Sequence, residues 1–276
     1  MLRMIGSELK KYCYLPYTLI VMLGVICLGF ANTVDDSGML ITVFQLMLRL
    51  MSGDEVQSIF HSALLLWKSS FSGWMVVFTP LLLTLPYIGV LSEERQNRLV
   101  QFEMIRSGNA RYCVCKVISG ALYGGLSFAV SYAILGCMFA LIFPPISAFS
   151  AEEQAMFVQT SIIVYIVKVL CGSFVYGVFA SIFGIGVAIF FRDKYMLLCL
   201  PFMLNYIYQQ IIEKAASKIY VSNAELAEKI ETFLPLQIGN LFMNRYWSIV
   251  LLIILGVYMG LIALFYQKVK RGKWIG

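Results

Sequence analysis

An all-α polytopic membrane protein with six transmembrane helices is the fold class this sequence predicts, on three observations. Of its 276 residues, 60% are hydrophobic and only 13% are charged, whereas soluble domains carry roughly 25% charged side chains. The apolar residues gather in runs of about 20, the length that crosses a hydrocarbon core. Lysines and arginines gather between alternate runs, the asymmetry that orients membrane helices. A water-soluble fold is excluded because too few charges remain to cover a globule of this size. Residues 1–276 therefore read as one membrane domain.

Six runs are long and apolar enough to span: Leu15 to Ala31, Gly73 to Leu91, Val117 to Phe143, Ser161 to Phe191, Tyr195 to Ile212 and Trp247 to Tyr266. The fourth exceeds what a bilayer core requires, so it tilts, kinks or projects. The first ends Gly29-Phe30-Ala31, which resembles a signal-peptide cleavage site, but its retention as a span is the expectation. One side of the expected membrane collects Arg3, Lys10 and Lys11, then Arg95, Arg98, Arg106, Arg111 and Lys116, then Arg192 and Lys194, then Lys268, Lys270, Arg271 and Lys273. Only Arg49, Lys68, Lys214, Lys218, Lys229 and Arg245 fall on the other, while Lys168 reads as an interface residue able to snorkel. Both termini are expected in the cytoplasm of a cell, most simply at a bacterial plasma membrane.

The outer loops, about 32–72 and 213–246, carry helical patterns. Met39 to Met51 is apolar almost all round. Val56, Ile59, Phe60, Ala63, Leu64 and Trp67 share one face at helical spacing, with Gln57, His61 and Lys68 opposite, which predicts an interfacial helix with a solvated or headgroup-level histidine. In the last loop Ile219, Leu226, Ile230 and Phe233 share a face until Pro235 stops the helix. Seven cysteines without C-x-x-C spacing and a single histidine argue against a disulfide framework or a zinc site.

Within the spans, small residues recur every four positions: Gly120 and Gly124, Gly177 and Gly184 with their neighbouring serines and alanines, and Gly256 and Gly260. That spacing predicts close helix packing or a dimer face. Pro80 and Pro86 should distort the second span, each lacking a backbone donor. No charge lies at the centre of a span, which counts against a proton- or ion-coupled carrier.

The segment 92–116 places eight charged residues in 25 positions between spans two and three and breaks at Ser107-Gly108-Asn109. It opens with Glu94-Arg95, turns at Ser107-Gly108, and continues with Arg111 and Lys116 before span three. In these positions, and in its six-span layout, the chain resembles the ABC-2 family of transporter permeases, with a fold like that of type V exporters. Asn97-Arg98 stands where that family usually has a Gly-Thr-like pair, and no proline marks the turn. The resemblance implies a cytoplasmic coupling helix from Glu93 to Ile105 that docks on an ABC ATPase subunit, present in two copies per complex. Glu93, Glu94, Arg95, Arg98, Arg106 and Arg111 would supply polar contacts and Leu99 and Phe102 apolar ones. ATP and magnesium would be bound by that partner, since this chain has no phosphate loop. A second permease copy or a homologous one would complete the exporter.

The function this implies is outward movement of an amphiphile, such as a peptide antibiotic, a drug or a lipid-like molecule, as in efflux and antimicrobial peptide resistance. No catalytic, cofactor-binding or metal-binding residue is expected in the chain, nor a nucleic-acid partner. A membrane scaffold or anchor that moves nothing remains the alternative, and an intramembrane lipid enzyme lacks the polar cluster it would need.

Overall fold

The computed structural model describes residues 1–13, 15–36, 39–52, 59–96, 99–148, 161–191, 193–220 and 224–271. They form α1 (Leu2–Tyr12), α2 (Leu15–Ala31), a hairpin of β1 (Thr33–Asp36) and β2 (Met39–Thr42), α3 (Val43–Met51), α4 (Ala63–Ser70), α5 (Gly73–Gln96) and α6 (Leu99–Ser107). Then follow α7 (Asn109–Ile142), α8 (Ile162–Phe190), α9 (Lys194–Tyr220), α10 (Ala224–Glu231), α11 (Pro235–Gly239) and α12 (Trp247–Lys270). Among these, α5, α7, α8, α9 and α12 are each long and apolar enough to cross a membrane. Helices α1 and α2 meet at a bend of 69° and are long and apolar enough to make a sixth crossing only when taken together as one span.

Several helices overrun their apolar runs. The second span continues through Ser92 to Gln96, span three starts at Asn109, and span five extends to Tyr220. Charged residues do not break a helix whose backbone bonds remain intact, so hydropathy marks where the bilayer ends and not where the helix ends. The break at 107–109 does occur, at Gly108 with φ of +80°, a conformation that favours glycine.

The outer loops differ from their patterns. Met39–Thr42 is a strand paired antiparallel to β1, with Val34 opposite Ile41, and the helix begins only at Val43. Thr42 sets that start: its Oγ1 accepts from the Gln45 amide while the Gln45 side chain accepts from the Thr42 amide. The expected interfacial helix is shorter and internal. Residues 53–58 lie outside the described set, Ile59–His61 is a 3-10 turn, and α4 buries Ala63 through Trp67. His61, expected in solvent or among lipid headgroups, is buried within the protein. In the last loop, Ile219 belongs to α9 and Leu226 is exposed while Ala227 is buried, so one shared apolar face does not form. Pro235 occupies the first turn of α11, where its missing donor costs nothing.

Close approach organises the centre. A Cβ on Gly124 of α7 would lie 2.8 Å from the Ser181 Cβ and 2.9 Å from the Gly177 carbonyl oxygen of α8. In lipid, helices gain no hydrophobic drive to associate, so such backbone contact supplies packing that larger side chains would prevent. Gly120 packs on Ile185 and Tyr87, and Gly184 on Thr84 of α5. A Cβ on Gly256 or Gly260 would meet nothing within 4 Å among the described residues.

Pro80 has a specific consequence. A proline at this position leaves the carbonyl of Val76, four residues earlier, without its helical donor. That oxygen instead accepts from the Tyr176 hydroxyl of α8 at 2.8 Å and from Asn205 Nδ2 of α9 at 3.1 Å. Both side chains are fully buried, and one missing ladder bond in a continuous helix thereby ties three helices together.

Two outcomes are expected. In SDS-induced unfolding, Tyr176→Phe and Asn205→Leu should each cost about 1 kcal/mol, and the double variant more than their sum, because only then does the Val76 oxygen lose both partners. Gly124→Val should lower the thermal stability of the purified chain by several degrees, whereas Gly256→Val should leave it unchanged; equal effects would refute the packing assigned to α7 and α8.

Candidate functional site

Four segments converge at the end of the bundle that holds α6. Glu8 and Lys11 come from α1, Glu94 from the last turns of α5, Glu103 from α6 and Lys116 from the second turn onward of α7. Lys116 is fully buried and is bonded to Glu8 and to Glu94, the latter through Oε1 at 2.7 Å, with Glu103 Oε2 at 3.7 Å. Lys11 Nζ donates to Glu103 at 2.6 Å, to Glu8 at 2.8 Å and to Glu94 at 2.9 Å. Each lysine therefore contacts all three carboxylates. Burial lowers the Lys11 pKa, but its bonds to Glu103, Glu8 and Glu94 outweigh this and hold it above the usual lysine range.

An aromatic layer covers the node. The Tyr12 ring lies 5.5 Å from Tyr87 and 5.9 Å from Tyr123, and the Lys116 ammonium lies 5.6 Å from the Tyr112 ring centroid. Such rings exclude water while presenting a face to the cation. Oxygen atoms of Glu8, Glu94 and Glu103 come within 4.8 Å of one another, close enough to hold a metal ion. The Lys116 ammonium is the cation these carboxylates bind, so the arrangement has the chemistry of an ion-pair network. Two ammoniums against three carboxylates leave a surplus of one negative charge.

The second component is the outer side of α6. Val100 and Met104 are buried against the bundle, four residues apart on one face. Leu99, Phe102 and Ile105 point away, 46%, 69% and 84% exposed. Three large apolar side chains in a row, on a helix held only along its other face, form a surface that water solvates poorly.

No protein-family model matches the sequence, and neither does any curated protein.

The residues expected to contact a partner separate accordingly. Leu99, Phe102, Arg106 and Arg111 are exposed. Glu94 is 3% exposed and bonded inward to both lysines, so in this arrangement its carboxylate is not on the surface. The side chains of Glu93 and Arg95, and Arg98 altogether, lie outside the described residues. Sequence reasoning missed the node itself, because Lys11 reads as an anchoring charge, Glu94 as a contact to a partner and Lys116 as part of the family motif, and nothing in the pattern singles out Glu8 or Glu103. The available clue was acidic residues recurring on the basic side of the membrane, Glu8 among them on a helix otherwise rich in lysine and arginine.

Charge count predicts an asymmetry. Lys116→Met leaves three carboxylates around one lysine and should cost about 3–5 kcal/mol, the loss expected when one partner of a buried pair is removed. Glu8→Gln removes the surplus negative charge and should cost clearly less. Chemical unfolding of the detergent-solubilised variants measures both, and a Glu8→Gln loss equal to that of Lys116→Met contradicts the count.

Proposed function

We propose that this chain is the membrane-spanning permease subunit of an ATP-driven exporter of the ABC-2 kind. The observation that carries the reading is α6: a short helix between the second and third spans, seated at the basic end, with Leu99, Phe102 and Ile105 exposed outward. Docked in a groove of a water-soluble ATPase, those three side chains leave water, worth about 1.5–3 kcal/mol each. Arg106 and Arg111, also exposed, supply charge at the rim of that contact.

The node gives the contact mechanical reach. Closure of an ATPase pair would displace α6, and Glu103 on α6 shares its lysines with α1, α5 and α7. A displaced α6 would therefore drag the ends of two spans with it. ATP supplies the bias by binding the closed ATPase more tightly than the open one. The substrate would be an amphiphile, in keeping with a bundle whose buried surface is dominated by aromatic and aliphatic side chains. Gly256 and Gly260, where a Cβ would meet nothing among the described residues, leave α12 room for close approach by a second permease copy or by lipid.

Phe102→Glu tests the reading on the exposed face, where a substitution leaves the fold intact. Affinity-purified from its native membrane, the wild-type chain should retain a partner carrying a nucleotide-binding phosphate loop, and Phe102→Glu should retain roughly tenfold less or lower. A wild-type preparation with no such partner, or equal retention by the variant, rejects it.

A further inference from the structure

The end of the bundle opposite the node holds a second cleft, of about 610 Å³, framed by α4, α10, α11 and the stretch that leads into α12. Its walls are fixed by bonds that occupy several of its neutral groups. Tyr208 of α9 donates to the Phe233 carbonyl at 2.8 Å, Asn244 Nδ2 donates to Thr232 Oγ1 at 3.2 Å, and the Thr232 hydroxyl donates to the Glu228 carbonyl at 3.0 Å. On α11, Gly239 lies so close to the Phe71 ring, and Gly172 of α8 so close to Gly239, that neither has room for a Cβ. A cleft tied in this way is formed before anything binds.

The charges lining the cleft are not occupied. Lys68 comes from α4, Glu228 and Glu231 from one face of α10, three residues apart, and Arg245 from the approach to α12. Among the described residues none of the four makes an ion pair or a side-chain hydrogen bond, and Lys68 only rests over the Tyr165 ring, 5.9 Å from its centroid. Glu225, on the same helix but outside the cleft, is paired with Lys229 at 2.7 Å. Two cations and two carboxylates sum to zero, so a ligand that satisfies them carries both signs and no net charge. The neutral groups narrow its chemistry. Gln237 offers an uncommitted amide, and Asn240, whose Nδ2 donates to the Leu236 carbonyl at 3.2 Å, keeps its oxygen as an acceptor. Both complement peptide groups. No aromatic ring, the usual partner of a quaternary ammonium, is among the described residues that line the cleft, whereas a primary ammonium donates directly to carboxylates. Met243 adds an apolar contact that adapts to different side chains. The volume falls in the range that encloses a drug-sized molecule, more than a single amino acid needs.

We propose that this cleft binds a short peptide with free termini, its ammonium at Glu228 and Glu231 and its carboxylate at Lys68 and Arg245. The site lies at the far end of the bundle from α6 and stands whether or not an ATPase docks there.

The test uses the full detergent-solubilised chain with trialanine as the probe, read by saturation-transfer NMR. Saturable binding at about millimolar affinity or tighter is expected. Blocking either end, as N-acetyl-trialanine or as trialanine amide, should weaken it about threefold or more. Glu228→Gln/Glu231→Gln should lose the preference for a free amino end and keep that for a free carboxylate, and Lys68→Gln/Arg245→Gln should do the reverse. Glu225→Gln, outside the cleft on the same helix, should bind as the wild type does. Three results on the wild-type chain would each overturn the proposal without any variant: no saturable binding, equal binding of free and blocked peptides, or a preference for glycerophosphoethanolamine, which would mark a lipid-headgroup site. Double variants that lose both preferences alike, or a Glu225→Gln loss equal to theirs, overturn it as well.

Discussion

A lysine ammonium taken out of water must be surrounded by anions, and Lys116 is fully buried. The groups that satisfy it come from far along the chain: Glu8 is 108 positions away and Glu94 22. Their meeting fixes how α1, α5 and α7 lie together, and Glu103 brings α6 into the same set. Helix α1 needs this fixing most, since it does not continue the line of α2 but meets it at a bend of 69°. The surplus of carboxylate charge also accounts for the company the node keeps, with Arg3 and Arg106 beside it on the two helices that carry Glu8 and Glu103.

The centre of the bundle is held by different means. There the solvent is hydrocarbon, so apolar contact alone does not favour helix against helix, and specificity comes from close backbones and hydrogen bonds. Helices α7 and α8 use the first, across Gly124 and Gly177. Reciprocal bonds lock α4 to α7, where Trp67 Nε1 donates to the Tyr132 carbonyl at 2.9 Å and the Tyr132 hydroxyl donates back to the Trp67 carbonyl at 2.5 Å. Tyr258 of α12 donates to the Val178 carbonyl at 2.7 Å. Ordering thus passes from ionic at one end to backbone contact and hydroxyl bonding in the middle.

The spans were legible in the sequence because hydropathy is a direct property of composition, and Gly108 was legible because a break between two helices needs a residue of its kind. Helix ends were not, since nothing in hydropathy distinguishes a helix that stops at the membrane from one that continues into water. The strand at Met39–Thr42 was hidden by an apolar run that suits either period, and the deciding feature, the Thr42 and Gln45 cap, lies inside it. His61 was misplaced for a related reason: helical spacing assigns faces only where a helix forms, and the turn at Ile59–His61 ended that assumption. The node was illegible because pairing between Glu8, Glu94 and Lys116 is a property of tertiary approach. Its residues are ordinary one by one.

Helix α5 joins the two kinds of order. Its last turns carry Glu94 into the node, and its middle carries Pro80, beside which the Val76 carbonyl is held by Tyr176 and Asn205 in place of a backbone donor. A helix bends most easily where a ladder bond is missing. The substitute bonds come from side chains on two other helices, which rearrange at a cost of about 1 kcal/mol each, far less than breaking open an intact buried pair. Under the proposed function, a displacement that enters at α6 would reach α5 through Glu94 as a rigid push, because the node resists separation of its charges. It would be taken up at Pro80, because that is where α5 has exchanged a backbone bond for two adjustable ones.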